Sequence, residues 1–183
     1  MTAIATTPET STWQLDPSHS HVEFAVKHLM IATVKGSFAG VDASLVGDES
    51  KTAGATVTAT IDTATINTRN EQRDAHLRSA DFFDVEKYPA ITFVGKRIVG
   101  ETSGEFQVIG DLTIRDVTKE ITLDVVFEGR VKDPWGGTRI GYSATGKIRR
   151  THFGLTWNQL IEAGGVAVGE DVKISVEAEF VRK

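Results

Sequence analysis

The segment VKISVEAEF, residues 172–180, carries the plainest structural signal in the chain. Val172, Ile174, Val176, Ala178 and Phe180 alternate with Lys173, Ser175, Glu177 and Glu179. Successive side chains of a strand point to opposite faces, so this is an extended chain with one dry side and one wet side. The same period of two runs upstream. Val22, Phe24, Val26 and His28 share one face, as do Ala55, Val57, Ala59 and Ile61. Phe106, Val108, Gly110, Leu112 and Ile114 form another face, followed by Ile121, Leu123, Val125 and Phe127, and then by Ile140, Tyr142, Ala144 and Ile148. Shorter strands are expected around Val34 to Leu45 and Ile91 to Ile98. The count is about eight, separated by turn residues.

Strands apolar on one side only make an antiparallel sheet. Helical segments are too few to cover it flat, so closing the sheet on itself buries the dry faces and removes the edges. A two-sheet sandwich is the alternative. Gly36, Gly40, Gly110, Gly141 and Gly146 lie in or beside strands, where glycine marks a sharp bend or a close approach. They favour the curved form. The expected fold is all-β: a single extended eight-stranded antiparallel, lipocalin-like barrel with short helical insertions.

At 183 residues the chain suits one domain. Residues 1–12, rich in Thr, Ser and Pro, are expected to form a flexible tail, with the barrel domain spanning 13–183. Twenty basic and 25 acidic residues leave a net charge of −5, which lacks the basic footprint of a nucleic-acid binder. The absence of cysteine excludes disulfides, thiol catalysis and Cys-based metal sites. No run has the ~18 apolar residues of a membrane anchor, and the start lacks the pattern of a signal peptide. A cytoplasmic location is expected, and a homodimer is compatible with apolar rims.

Two stretches break the alternation. Thr68-Arg69-Asn70-Glu71 has the form of a capping box and predicts a short helix through about Ser79. The turn at Asp81-Phe82-Phe83 follows, ending at Tyr88-Pro89. The second stretch is His152 to Val168. Both are expected to plug or lid the barrel.

The candidate pore lining is Phe24, Val26, His28, Phe38, Val57, Phe93, Leu112, Leu123, Phe127, Tyr142, Ile174 and Phe180. His28 is either an internally satisfied core histidine or a polar contact to a ligand. Arg73, His76 and Arg78 could grip an anionic head group at the rim; alternatively, Asp74 pairs with Arg78 and locks the helix down. Leu77, Phe82 and Phe83, in the irregular insertion, are expected to gate the pore. His19 and His21 share a face, but HxH alone is a weak metal signal, and no metal or cofactor is assigned. No GxSxG, HExxH or phosphate-binding glycine loop is present, and no catalytic residue is assigned.

Five segments in order resemble the YceI-like family of lipocalin-like polyisoprenoid-binding proteins: WQLDPSHSHVEFAVKHL at 13–29, VKGSFAG at 34–40, RDAHLRSADFFDVEKYPAITF at 73–93, GDLTIRDVTKEITL at 110–123 and IGYSATGKIRRTHFG at 140–154. Asp116 stands where that family usually has Gly; Asp tolerates the left-handed turn conformation. Arg149 and His152 stand where Asn and Asp are more usual. The resemblance implies a long apolar pore that holds an isoprenoid or quinone-type tail for transport, storage or sequestration, and a binding protein rather than an enzyme. Two other readings stand beside it. One is a hydrolase or isomerase acting on such a lipid through His28, His76 or His152. The other is a filled barrel serving as a stress-related interaction protein.

Overall fold

The computed structural model describes residues 10–48, 54–162 and 164–183. Among them, eleven strands form a single sheet that closes on itself. The first three pairs are halves of bent strands. Strand β1 (Thr10–Leu15) continues into β2 (His21–His28), β3 (Ala32–Phe38) into β4 (Val41–Asp48), and β5 (Thr56–Asp62) into β6 (Ile66–Asn67). Then come β7 (Ala90–Gly100), β8 (Glu105–Ile114), β9 (Val117–Lys132), β10 (Thr138–Arg149) and β11 (Val168–Arg182). Counting each bent pair once gives the expected eight-stranded antiparallel barrel, in which every strand pairs with its sequence neighbours. Closure is made by β11, which pairs with β2 from Val168↔His28 to Glu177↔His21 and with β1 from Leu15↔Phe180 to Trp13↔Arg182.

The break between β1 and β2 has a local cause. Pro17 has no N–H to donate to a ladder. Asp16 caps the short 3₁₀ turn Pro17–His19 by accepting from Ser18 N at 3.0 Å. Gly110 shows why the barrel can curve. A Cβ there would lie 2.5 Å from the Val94 carbonyl oxygen and 2.8 Å from Gly95 Cα, so only glycine lets β7 and β8 approach so closely.

The core follows the alternation. Phe106, Val108, Leu112 and Ile114 are buried along β8, and Phe93, Val125 and Phe180 are buried on neighbouring strands. Order begins ahead of Trp13: Thr10 to Thr12 already pair with β4, and the Ser11 hydroxyl donates to Gly47 O at 3.2 Å. The rest of the expected tail, residues 1–9, lies outside the described residues.

Helix α1 (Glu71–Arg78) follows β6. Its cap is Asn70, whose side chain accepts from Arg73 N at 2.9 Å. The expected cap, Thr68, is instead bound by Asp74, which accepts from Thr68 N at 2.9 Å and from its hydroxyl at 2.5 Å. In the β8–β9 hairpin the left-handed residue is Arg115 (φ 56°), not Asp116. No helix among the described residues is long and apolar enough to cross a membrane.

Candidate functional site

The inward faces of the strands enclose an apolar cavity of about 580 Å³. Its wall includes Phe24 and Val26 of β2, Phe38 of β3, Val57 of β5 and Phe93 of β7, with Leu112 of β8, Leu123 and Phe127 of β9, Tyr142 of β10, and Ile174 and Phe180 of β11. Each was expected there from the alternation. Trp13, Ala144, Ile148, Val172 and Val176 also line it. Ala144, Ile148, Val172 and Val176 carry the same period of two and were legible from it; Trp13, ahead of the first alternating run, was not. His28 does not line the cavity. It is exposed at the last position of β2, opposite Ala32 and Val168, where the alternation runs past the end of the enclosed space.

Two insertions fill one end. Leu77, Phe82 and Phe83 all reach the cavity. Phe38 links Phe24 and Phe83, with ring centroids 5.7 and 5.9 Å away. Phe82 packs on Trp157 at 5.4 Å and on His76 at 5.1 Å. Behind them, Arg150 is almost completely buried. It donates to the carbonyls of Gly169 (2.8 Å), Leu155 (2.7 Å), Trp157 (2.9 Å) and Val168 (3.2 Å), which holds the 150–168 stretch across the barrel. Burial lowers its pKa, but a guanidinium stays charged.

The rim cations have structural partners. Arg73 donates through Nε to Thr68 Oγ1 (2.7 Å) and through Nη2 to Thr68 O (2.8 Å). Arg78 donates to Ala64 O (2.8 Å) and Ile66 O (2.9 Å), so it binds backbone rather than Asp74. His76 meets Asp81 at 2.8 Å. None of these three lines the cavity, and they are not gathered into an anion grip.

Elsewhere, ligand atoms of Asp16, His19 and Glu179 lie within 4.8 Å of one another. Both carboxylates already receive the Arg139 guanidinium, at 2.7 Å for Asp16, and Arg139 Nε donates to Asp133 at 2.9 Å. The cation of this cluster is the arginine. His21, expected to share the face of His19, is exposed at the start of β2.

The polar groups facing the cavity are few. Trp13 Nε1 donates to Ser11 Oγ at 2.9 Å. Burial raises the pKa of the Tyr142 hydroxyl. None of the five histidines is among the lining residues.

Compared with known proteins, residues 13–180 match the family model described as the YceI-like domain. The chain belongs to the YceI-like family. This YceI-like chain is 45% identical over 166 residues to a UPF0312 protein of Staphylococcus aureus (strain MSSA476), covering 90% of this chain and 94% of that one. Among solved structures, it is similar to the Campylobacter jejuni YceI protein at 35% identity and a TM-score of 0.71, covering 84% of this chain and 87% of the other. The barrel fold is shared with Burkholderia cenocepacia BcnA, at 22% identity and a TM-score of 0.78 over 90% and 98% of the two chains. It is also shared with a polyisoprenoid binding domain from Saccharophagus degradans implicated in plant cell wall breakdown, at 16% identity and a TM-score of 0.65 over 92% and 97%.

Proposed function

We propose that this YceI-like protein binds one isoprenoid-type lipid, a polyprenyl or quinone tail, inside the barrel and carries, stores or sequesters it. The observation that carries this reading is the apolar cavity of about 580 Å³, which a fully packed barrel would lack. At about 30 Å³ per non-hydrogen atom, the share a water molecule takes in the liquid, the space suits roughly 20 such atoms. That is the size of a tail of a few isoprene units. Each buried methylene contributes ~0.8 kcal/mol before the cost of ordering the chain. Such a tail binds without a dense set of polar contacts. The structural neighbour described as a polyisoprenoid binding domain is consistent with this ligand class. The placement of the histidines outside the cavity favours binding over turnover.

The test is titration of the protein with geranylgeraniol, followed by tryptophan emission. Ala144→Trp places an indole in the cavity and is expected to weaken binding by more than about tenfold, with the strand signal in circular dichroism unchanged. Equal affinity in the folded variant would reject the cavity as the site.

A further inference from the structure

We propose that the Tyr142 hydroxyl is a polar anchor at one end of the cavity, donating a hydrogen bond to an oxygen on the head of the ligand. The ligand is then an oxygen-headed isoprenoid, an alcohol or a quinone, lying with its head at Tyr142 and its tail toward Leu77. This deepens the isoprenoid reading above and rests on it.

Tyr142 stands opposite Phe127 on β9 and Ala178 on β11. Its ring packs against Phe106, Phe127 and Phe180, with centroids 6.0, 5.8 and 6.4 Å away. All four rings line the cavity. A phenylalanine would fill this aromatic cage equally well, so packing does not account for the hydroxyl. No hydrogen bond to that hydroxyl is found among the described residues; it is half-buried rather than sealed off, it feels the Arg130 charge, and like any tyrosine hydroxyl it carries its proton at neutral pH. A donor left accessible on a mostly apolar wall is open to an acceptor inside the cavity. A ligand oxygen in the cavity supplies the acceptor.

The direction of the ligand follows from where the other polar atoms go. Near Tyr142, Trp13 Nε1 is bound to Ser11, and the Arg130 guanidinium lies over the Trp13 ring at 5.4 Å. At the far end the cavity meets Leu77 and Phe83, and Arg150 there is committed to backbone carbonyls. Roughly 20 Å of strand separates Tyr142 from Ile148, near that far end, which is room for an extended isoprenoid tail.

The experiment compares geranylgeraniol with phytane, an isoprenoid hydrocarbon of the same length that has no oxygen, on the full chain and on Tyr142→Phe. The substitution is expected to weaken geranylgeraniol binding three- to tenfold, roughly the loss of one hydrogen bond, and to leave phytane binding unchanged. A second readout uses decylubiquinone with the Trp135→Phe/Trp157→Phe variant, which leaves Trp13 as the reporting indole. A quinone ring held at Tyr142 should quench Trp13 emission, and Tyr142→Phe should reduce that quenching at equal occupancy. Unchanged geranylgeraniol affinity, an equal loss for both probes, or unquenched Trp13 with the quinone bound would each overturn the anchor while leaving the lipid-binding reading intact. Failure of the parent protein to take up either isoprenoid would overturn both.

Discussion

Phe83 meets Phe38 edge-on, with ring centroids 5.9 Å apart and planes at 85°. The contact joins the insertion after α1 to strand β3. It falls in the separation range where aromatic pairs add to plain burial. Phe83 and Leu77 form part of the cavity wall at this end, so a ligand held in the cavity as proposed would rest against the insertion.

A carboxylate at that seal should therefore disturb binding. Leu77→Asp puts a charge where a tail would pack, and leaving it unpaired in apolar surroundings is costly. Affinity for geranylgeraniol is expected to fall by about tenfold or more. Unchanged affinity in the folded variant would show that the tail neither passes nor rests against Leu77.

The seal itself depends on Arg150. Its removal takes the arginine donor from the carbonyls of Gly169, Leu155 and Trp157, while Val168 O keeps Asn158 Nδ2 at 2.8 Å. Arg150→Met is expected to cost about 3 kcal/mol in urea unfolding, and Arg150→Lys to recover little of this, because an ammonium cannot reproduce the fork. A loss below about 1 kcal/mol would mean that water replaces the guanidinium at those carbonyls.

Much of this was legible in the sequence, and the division has a physical cause. Alternation is a local property, so Phe93, Leu112, Leu123 and Phe127 could be assigned to the inside without knowing their neighbours. The partners of Arg73 and Arg78 are backbone atoms of Thr68, Ala64 and Ile66, which leave no mark on side-chain spacing. The same holds for the cap. Thr68 has the right residue type, but Asp74 competes for its N–H and hydroxyl, and Asn70 takes the position. His28 fits the pattern but sits past the end of the enclosed space. The break between β1 and β2 turns on Pro17 and its Asp16 cap, which period counting does not weigh.

Hydrogen bonds from His19 and Arg139 hold Asp16 well below the usual carboxylate range, and Arg139 also lowers Asp133. A depressed folded-state pKa adds stability that is complete above the unfolded value of about 4 and is lost as the pH falls through the folded value. Arg139→Gln should therefore be less stable than the parent at neutral pH, with the gap closing in acid. Urea midpoints across a pH series measure it, and a gap that stays constant into acid would assign the arginine's effect to packing.

Close backbone approach predicts the effect of Gly110→Ala. The added Cβ meets the Val94 carbonyl oxygen and Gly95 Cα, neither of which can swing aside. A loss of about 1–3 kcal/mol is expected from thermal or urea unfolding. Parental stability would mean that β7 and β8 separate at no cost.

The barrel is proposed to carry a lipid. The most direct measurement is native mass spectrometry of protein purified without detergent, followed by organic extraction and lipid analysis. A stoichiometric adduct with an isoprenoid tail is the predicted result. A bare mass that persists after incubation with isoprenoid quinones would contradict the account and leave the barrel without the ligand its cavity is proposed to hold.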